Sequence, residues 1–352
     1  MALPELTTPL VAAPMAGVST PELVLAAGHV GGLGFLAGGY QQVDSLAAQI
    51  AVVRRASDRR FGVNLLLPIQ ESAFVAQSAG PSPEELQEAV TAYRQTLLPD
   101  AEYWGVELPE PDWSATDQWE EKVELLVAER VPLVSFTFGI PKAGVLQRFH
   151  EAGSAVMITV TDLEEAIQGA AAGADGLIVQ GSAAGGHRGT MDPVKVPADR
   201  PLLELIGEVR AAVGLPLYAA GGLATPDAVA EVIAAGAVAA VVGTALLRTP
   251  EAATSPAHRG ILAAKVPAPI ATSRVFSGRL GRLIVNDFVS RHLGAPPAFP
   301  VVNQLTTPIR QAATAAGDPA YIPLWAGEGW RSARNAPAVE VLRILAGIDP
   351  EY

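Results

Sequence analysis

The sequence predicts an α/β protein: a (β/α)8 TIM barrel with a smaller, mostly helical domain formed by insertions. Three observations carry this reading. Eight short apolar runs alternate with helix-forming stretches along most of the chain, the arithmetic of parallel strands closed into a barrel. Several of these runs stop in glycines or beside a lone polar residue, as strand ends do where they open into a ligand site. The GxGxxG fingerprint of a doubly wound dinucleotide fold, the runner-up architecture, is missing after the first strand.

Composition narrows the function classes. The chain has 352 residues, 49% hydrophobic and 17% charged, enough for a sizeable core and typical of a globular enzyme. Its formal net charge is −12 and its basic residues are scattered, so no stripe could neutralise a nucleic-acid backbone. The absence of cysteine removes disulfides, thiolate nucleophiles and Cys-ligated metals. No run approaches the ~20 apolar residues of a membrane span, and the first residues carry no basic, apolar leader, so the chain reads as soluble and cytoplasmic.

Taken in order, Pro9–Met15 is a short apolar run, and Ser19-Thr20-Pro21-Glu22 starts a helix with proline in its first turn. That helix ends at Gly31-Gly32, a second strand runs from Leu33 to Gly39, and Val43–Ala56 has helical spacing. Phe61–Leu67 is a third strand with Asn64 inside it. A buried amide left unpaired costs about 1–3 kcal/mol, so Asn64 either ties down backbone or holds a ligand. Between Pro68 and Ser114 the alternation breaks into an acidic, proline-punctuated, helix-prone insertion. It resumes with a helix from Asp117 to about Arg130, a strand Pro132–Phe138, a helix Pro141–Ala152 and a strand Ala155–Val160. Thr161-Asp162 caps the next helix, with Glu164 and Glu165 in the first turn, where negative charge suits the dipole.

The stretch Ala174–Gly189, ADGLIVQGSAAGGHRG, is central. Leu177, Ile178 and Val179 have the look of a buried parallel strand, Gln180 stands where it stops, and the small residues Gly181–Gly186 lead to His187 and Arg188. Such a loop lets a ligand approach the backbone beside an imidazole, although a glycine-rich turn also serves as an ordinary connector. A helix Leu202–Val213, a strand Leu215–Gly222, a helix from Thr225-Pro226-Asp227 and a last strand Ala239–Val242 complete eight units, and a helix Ala338–Leu345 closes the ring. The barrel is assigned to residues 1–70, 115–262 and 335–352, and the insertions to 71–114 and 263–334, with the second lying over the barrel mouth.

In such a barrel the strand carboxyl ends form the site. They carry Ala13, Pro14 and Met15, then Asn64, Thr137, Gln180, the loop with Gly185, Gly186 and His187, and the pairs Gly221-Gly222 and Gly243-Thr244 after strands seven and eight. Glycine turns at those two strands suit a phosphate held by backbone N–H groups, although glycines there also serve turn geometry alone. His29, His150, His258 and His292 read as surface or capping residues without metal-ligand spacing, so no metal site is expected. Trp104, Trp113 and Trp119 read as packing for the insertion. Arg188 either pairs locally or attracts an anion.

The segments APMAGVST, GGLGFLAGGY, FGVNL, VSFTFGIP, VQGSAAGGHRG, PLYAAGG and VVGTALL, with RVFSGRLGR and LWAGEG later, together resemble the nitronate monooxygenase family. The resemblance covers nearly the whole chain. It implies an FMN-binding barrel in which Asn64, Gln180, Gly185, Gly222, Gly243 and Thr244 hold FMN. Gly186 and Gly221 lie in the same turns, Ala13, Pro14 and Met15 lie against the ring, and His187 is catalytic. The chain departs from the pattern at Thr137, Ala183 and Glu328, where the resemblance implies His, Glu and Gln.

The implied reaction is oxidation of an alkyl nitronate, such as propionate 3-nitronate, by dioxygen to an aldehyde or semialdehyde and nitrite. Two alternatives stand beside it: an NAD(P)H-dependent FMN reductase of quinone or enoyl-thioester type, and a phosphate-binding lyase, isomerase or flavin carrier. The partners expected are the small nitronate or nitroalkane and dioxygen, with no nucleic acid and no membrane. The oligomeric state is not legible.

Overall fold

The computed structural model describes residues 2–74, 80–264 and 268–348. Eight parallel strands close into a barrel: β1 (Leu10–Ala12), β2 (Leu33–Ala37), β3 (Gly62–Leu66), β4 (Leu133–Thr137), β5 (Ala155–Val160), β6 (Gly176–Gln180), β8 (Leu217–Ala220) and β9 (Ala239–Val242). Between β6 and β8 the two-residue strand β7 (Gly186–His187) belongs to a second sheet. Closure is made by β9 on β1, with Val11 opposite Val241. This is the TIM barrel that the alternation predicts.

Both faces of each strand are covered, which explains why the runs are apolar throughout. On β6, Leu177 and Val179 pack outward with Leu205, Ile206 and Val209, while Ile178 packs inward with Phe35, Met157 and Tyr218. The ring of helices is α1 (Pro21–His29), α2 (Val43–Ala56), α4 (Trp119–Ala128), α5 (Ala143–Ala152), α6 (Leu163–Ala171), α7 (Leu202–Ala212), α8 (Pro226–Ala234) and α12 (Ala338–Leu345). Thr20, Asp162 and Thr225 cap α1, α6 and α8 through their side-chain oxygens, as their sequence positions suggest. Buried Glu165 fastens the chain beyond β7 to α6: its carboxylate accepts from Thr161 N at 2.6 Å, Thr161 Oγ1 at 2.8 Å and Met191 N at 2.9 Å.

The inserted stretches share one core. Helix α3 (Pro83–Trp104) opens with a reciprocal capping box between Ser82 and Glu85 and ends at Gly105 in the left-handed region. Its residues Val90 and Leu97 pack with Leu305 and Ile309 of α11 (Val301–Ala316) and with Phe276 and Phe288, the latter in α10 (Asp287–Arg291). Helix α9 (Pro256–Ala263) follows β9.

The small domain departs from the helical expectation. It also contains a three-stranded antiparallel sheet in the order β10 (Ile270–Ser273), β11 (Gly281–Ile284), β7. The loop after β6 supplies β7, with His187 opposite Gly281, so the sheet forms only when segments nearly a hundred residues apart meet.

Other expectations also change. Trp119 packs against Leu46, Val123 and Phe136 of the barrel wall, not the insertion. His258 and His292 are buried, and His292 Nε2 meets Asp100 Oδ2 at 2.5 Å, because α3 supplies a carboxylate beneath α10. No described helix is long and apolar enough to cross a membrane.

Helix α1 lies directly on the backbone of β2. A Cβ on Gly34 would stand 2.5 Å from Val24 Cα and 2.8 Å from Val24 O, so the two elements would have to separate. Gly34→Ala is expected to destabilise the fold by about 1–3 kcal/mol, the usual cost of overpacking. Gly144 in α5 meets nothing within 4 Å, so Gly144→Ala should leave Tm unchanged or raise it. Thermal melts of the two variants check this, and equal Tm values would refute it.

Candidate active site

A cavity of about 1270 Å³ opens at the carboxyl ends of the barrel strands and is roofed by the small domain. Ala13, Pro14, Met15, Asn64, Thr137, Gln180, Gly185, Gly186, His187, Gly221, Gly222, Gly243 and Thr244 all line it. The structure therefore brings together every site position that the sequence singles out. After β1 the chain turns back on itself: Met15 N donates to Ser19 Oγ at 2.9 Å, and Ser19 Oγ donates to Ala13 O at 3.2 Å. That turn presents Ala13, Pro14 and Met15 as one wall.

Asn64 is tied down at one end of its amide and open at the other. Its Nδ2 donates to Ser135 Oγ at 2.9 Å and Thr137 Oγ1 at 3.1 Å on β4, and no described donor reaches Oδ1. The amide braces two strands and leaves one acceptor for the cavity. Gln180 is committed more fully: Nε2 donates to His187 O at 3.0 Å, and Oε1 accepts from Gly189 N at 2.8 Å. It pins β7 to the end of β6, with one N–H left over.

His187 stands under the small domain. Its ring lies 4.9 Å from that of Trp325 and 5.7 Å from that of Phe138, and its Nε2 is 2.8 Å from Ser277 Oγ. Ser277 is itself fixed, donating to Arg279 O at 3.3 Å and accepting from Arg279 N at 3.2 Å. Burial, and next to it the charges of Arg279 and Arg310, push the imidazole from 6.5 down to about 3. At neutral pH the ring is uncharged.

Arg279 is almost fully buried, lies 4.3 Å over the Phe138 ring and donates to Thr190 O at 2.9 Å. Arg188 is buried and donates to Gly181 O, so of its two readings the local one holds.

The glycine turns line the same cavity. Gly221 and Gly222 have φ values of 119° and 74°, which side chains rarely adopt, and a Cβ on Gly222 would press on Ala183 Cβ at 3.0 Å. Among the described residues, none accepts a hydrogen bond from the N–H of Gly185, Gly222 or Gly243. A turn of this kind, with unpaired donors facing a cavity, suits a phosphate. Gly243 itself needs no such freedom, since a Cβ there would meet Ala13 and Met15 at ordinary distances.

Several lining residues escape sequence reasoning: Tyr40, Phe138, His258, Ser277, Arg310 and Trp325. Ser277 and Trp325 fall within RVFSGRLGR and LWAGEG, where a signal was available. Phe138, inside VSFTFGIP, has a φ of 82° directly after β4, a strained backbone position. His258 is pushed down to about 4 by burial, and its Nε2 has no described partner.

Residues 1–346 match the family model described as nitronate monooxygenase. The chain belongs to the nitronate monooxygenase family. Membership makes it an oxidoreductase. A probable nitronate monooxygenase of Staphylococcus aureus strain MRSA252 is 32% identical over 342 residues, covering 95% of this chain and 92% of that protein. A nitroalkane oxidase from Streptomyces ansochromogenes is 39% identical with a TM-score of 0.88, covering 97% of this chain and 96% of its own. The FabK protein of Thermotoga maritima, at 22% identity and a TM-score of 0.72 over 97% of this chain and 93% of its own, shares the fold.

A folded-state pKa near 3 against 6.5 in the unfolded chain means that the unfolded state takes up this proton first. His187 therefore weakens the fold as pH falls from 6.5 toward 3 and contributes nothing to pH dependence above that range. Its ring signals in NMR, assigned by their loss in His187→Asn, are expected to stay at their neutral positions from pH 8 to pH 5. A titration midpoint near pH 6.5 would contradict this.

Proposed function

We propose that this oxidoreductase binds FMN in the cavity and oxidises alkyl nitronates, such as propionate 3-nitronate, with dioxygen to an aldehyde or semialdehyde and nitrite. The observation that carries the reading is one continuous cavity lined both by glycine turns and by a neutral imidazole among aromatic rings. The names of the two similar proteins, a nitroalkane oxidase and a probable nitronate monooxygenase, point to the same chemistry.

The residues fit the cofactor. The N–H groups of Gly185, Gly222 and Gly243 offer unpaired donors for its phosphate, with Gly221 and Thr244 in the same turns. Ala13, Pro14 and Met15 supply a wall for the ring, and Asn64 Oδ1 and the remaining Gln180 N–H supply polar contacts beside it, with Gly186 next to His187. Bound FMN supplies the electron acceptor that links nitronate oxidation to dioxygen.

A neutral His187 imidazole can accept a proton. With the Ser277 hydroxyl hydrogen directed at Arg279 O, Nε2–H donates to Ser277 Oγ and Nδ1 carries the lone pair. Nδ1 can then accept the α-proton of a neutral nitroalkane, but Arg279 and Arg310 oppose the imidazolium that results. A preformed nitronate has already lost that proton. Nitronates are thus the better substrates, and the aromatic surroundings of His187 exclude water from the reacting carbon.

Gly222→Val is expected to purify with most of its FMN absorbance lost while its circular dichroism is retained. Gly243→Ala, whose Cβ meets ordinary space, keeps its flavin. A Gly222→Val protein with full FMN would put the phosphate elsewhere.

Nitrite release should favour a preformed nitronate over its parent nitroalkane. His187→Asn should lower nitroalkane turnover by about 10²-fold, within the range of general-base contributions, and nitronate turnover much less. Equal losses would make His187 a positioning group. Rapid flavin bleaching by NAD(P)H under anaerobic conditions, without nitrite formation, would favour the reductase.

A further inference from the structure

Arg310 stands on α11, and its side chain lines the cavity. It is the one lysine or arginine among the described residues that do so. Its Nη2 donates to Asn303 O at 3.0 Å, Asn303 Oδ1 at 2.8 Å and Thr307 Oγ1 at 2.6 Å, all from its own helix. These acceptors are neutral: they orient the guanidinium without cancelling its charge. Nε is buried with no partner, and no hydrogen bond from a described residue engages Nη1.

Among the described residues no carboxylate pairs with it. Of the acidic residues on the cavity wall, Asp117 is committed to Lys122 at 2.8 Å and to Tyr40 N at 3.0 Å, and Glu22 lies in the first turn of α1. The other groups acting on the guanidinium are the phenols of Tyr40 and Tyr93, and burial pushes it down to about 10, so it stays charged at physiological pH. The buried arginines Arg279 and Arg188 do not line the cavity: Arg279 lies over Phe138 and is bonded to Thr190 O, with its Nε likewise unpartnered, and Arg188 is bonded to Gly181 O. Elsewhere in the small domain Arg291 has its anion, Asp100, at 2.8 Å. A half-buried cation held in place by neutral groups, with the N–H groups of Nη1 unused in a cavity, lacks one component, an anionic oxygen that accepts a charge-assisted hydrogen bond.

We propose that Arg310 is a specificity-determining residue whose Nη1 receives an oxygen of a planar two-oxygen anion of the substrate. The proposal rests on the nitronate reading above and deepens it. Nitronate and carboxylate groups share this shape and charge, and the experiment separates them. Arg310 also acts on His187 electrostatically, so an anion bound there offsets part of the field that keeps the imidazole neutral.

The test uses the enzyme as purified, with Arg310→Met and Arg310→Lys compared with the parent protein. Steady-state nitrite release is measured with ethyl nitronate, with propionate 3-nitronate and with neutral nitroethane, and binding of 3-nitropropionate and propionate is measured by isothermal titration calorimetry. Arg310→Met is expected to raise KM at least tenfold for an anionic substrate while changing that for nitroethane less than threefold, with Arg310→Lys intermediate. A rise for both nitronates assigns the nitronate group to Arg310, and a rise for propionate 3-nitronate alone assigns the carboxylate; either outcome supports the proposal.

Unchanged KM for both nitronates in Arg310→Met with Tm preserved overturns it. Should no nitronate yield nitrite, the functional reading fails, and the calorimetric arm still decides whether Arg310 binds these anions: tenfold weaker binding in Arg310→Met supports that, and equal binding refutes it. If Arg310→Met does not fold, Arg310→Gln, with the same readouts and the same thresholds, takes its place.

Discussion

The small domain and the barrel mouth meet along a seam where backbone packs on backbone. A Cβ on Gly185 would stand 2.3 Å from Gly327 N, and one on Gly327 would stand 2.7 Å from Ala183 O. Side chains on this seam would lift the inserted segment off the strand ends. Instead Glu328 N donates to Ala183 O at 3.1 Å, and Gly327 N donates to Thr244 Oγ1 at 3.0 Å. The close approach carries Trp325 over His187 and turns two strand-end clefts into one cavity. The loop after β6, the turn after β9 and the inserted segment are therefore one structural unit, though they are far apart in sequence.

A second constraint is electrostatic. The chain carries a net charge of −12, yet the arginines at and behind the site wall, Arg188, Arg279 and Arg310, have mostly carbonyl oxygens as partners. Neutral acceptors satisfy guanidinium geometry without quenching the field, and burial keeps that field long-ranged. Burial first, and then the charges of Arg279 and Arg310, keep the His187 imidazole uncharged. Aromatic rings around His187 add to this, since they exclude water while offering no charge of their own.

Most of the barrel was legible because its signals are local. A strand buried on both faces is an uninterrupted apolar run, and caps such as Thr20, Asp162 and Thr225 sit one residue before the helix they start. The polar strand ends were legible too, because the barrel fold itself says where they converge. The small domain is different in kind. Strand β7 is two residues long and has no period to read; its partner β11 lies nearly a hundred residues on, and the sheet exists only through that pairing. The burial of His292 depends on Asp100, 192 residues away, and Trp119 faces the barrel because α4 follows the insertion instead of belonging to it. Arg310 gave no signal at all, since a basic residue on an amphipathic helix is ordinarily solvated.

The departures from the family pattern acquire a physical sense in this geometry. Ala183 and Glu328, where the resemblance implies Glu and Gln, are joined by the hydrogen bond that spans the seam. The carboxylate missing at 183 is present at 328, where Oε1 lies 3.4 Å from Arg282 Nη1, and Arg282 Nε donates back to Ser182 O at 2.8 Å. Thr137 is the other case: in place of an implied imidazole it puts a hydroxyl between Asn64 and Thr159, at 3.1 Å and 3.3 Å, and continues a polar row across three neighbouring strands. A second imidazole there would have brought another proton-accepting group to the cavity; with threonine, the wall beside Asn64 offers only hydrogen bonds, and His187 remains the imidazole beneath the aromatic roof.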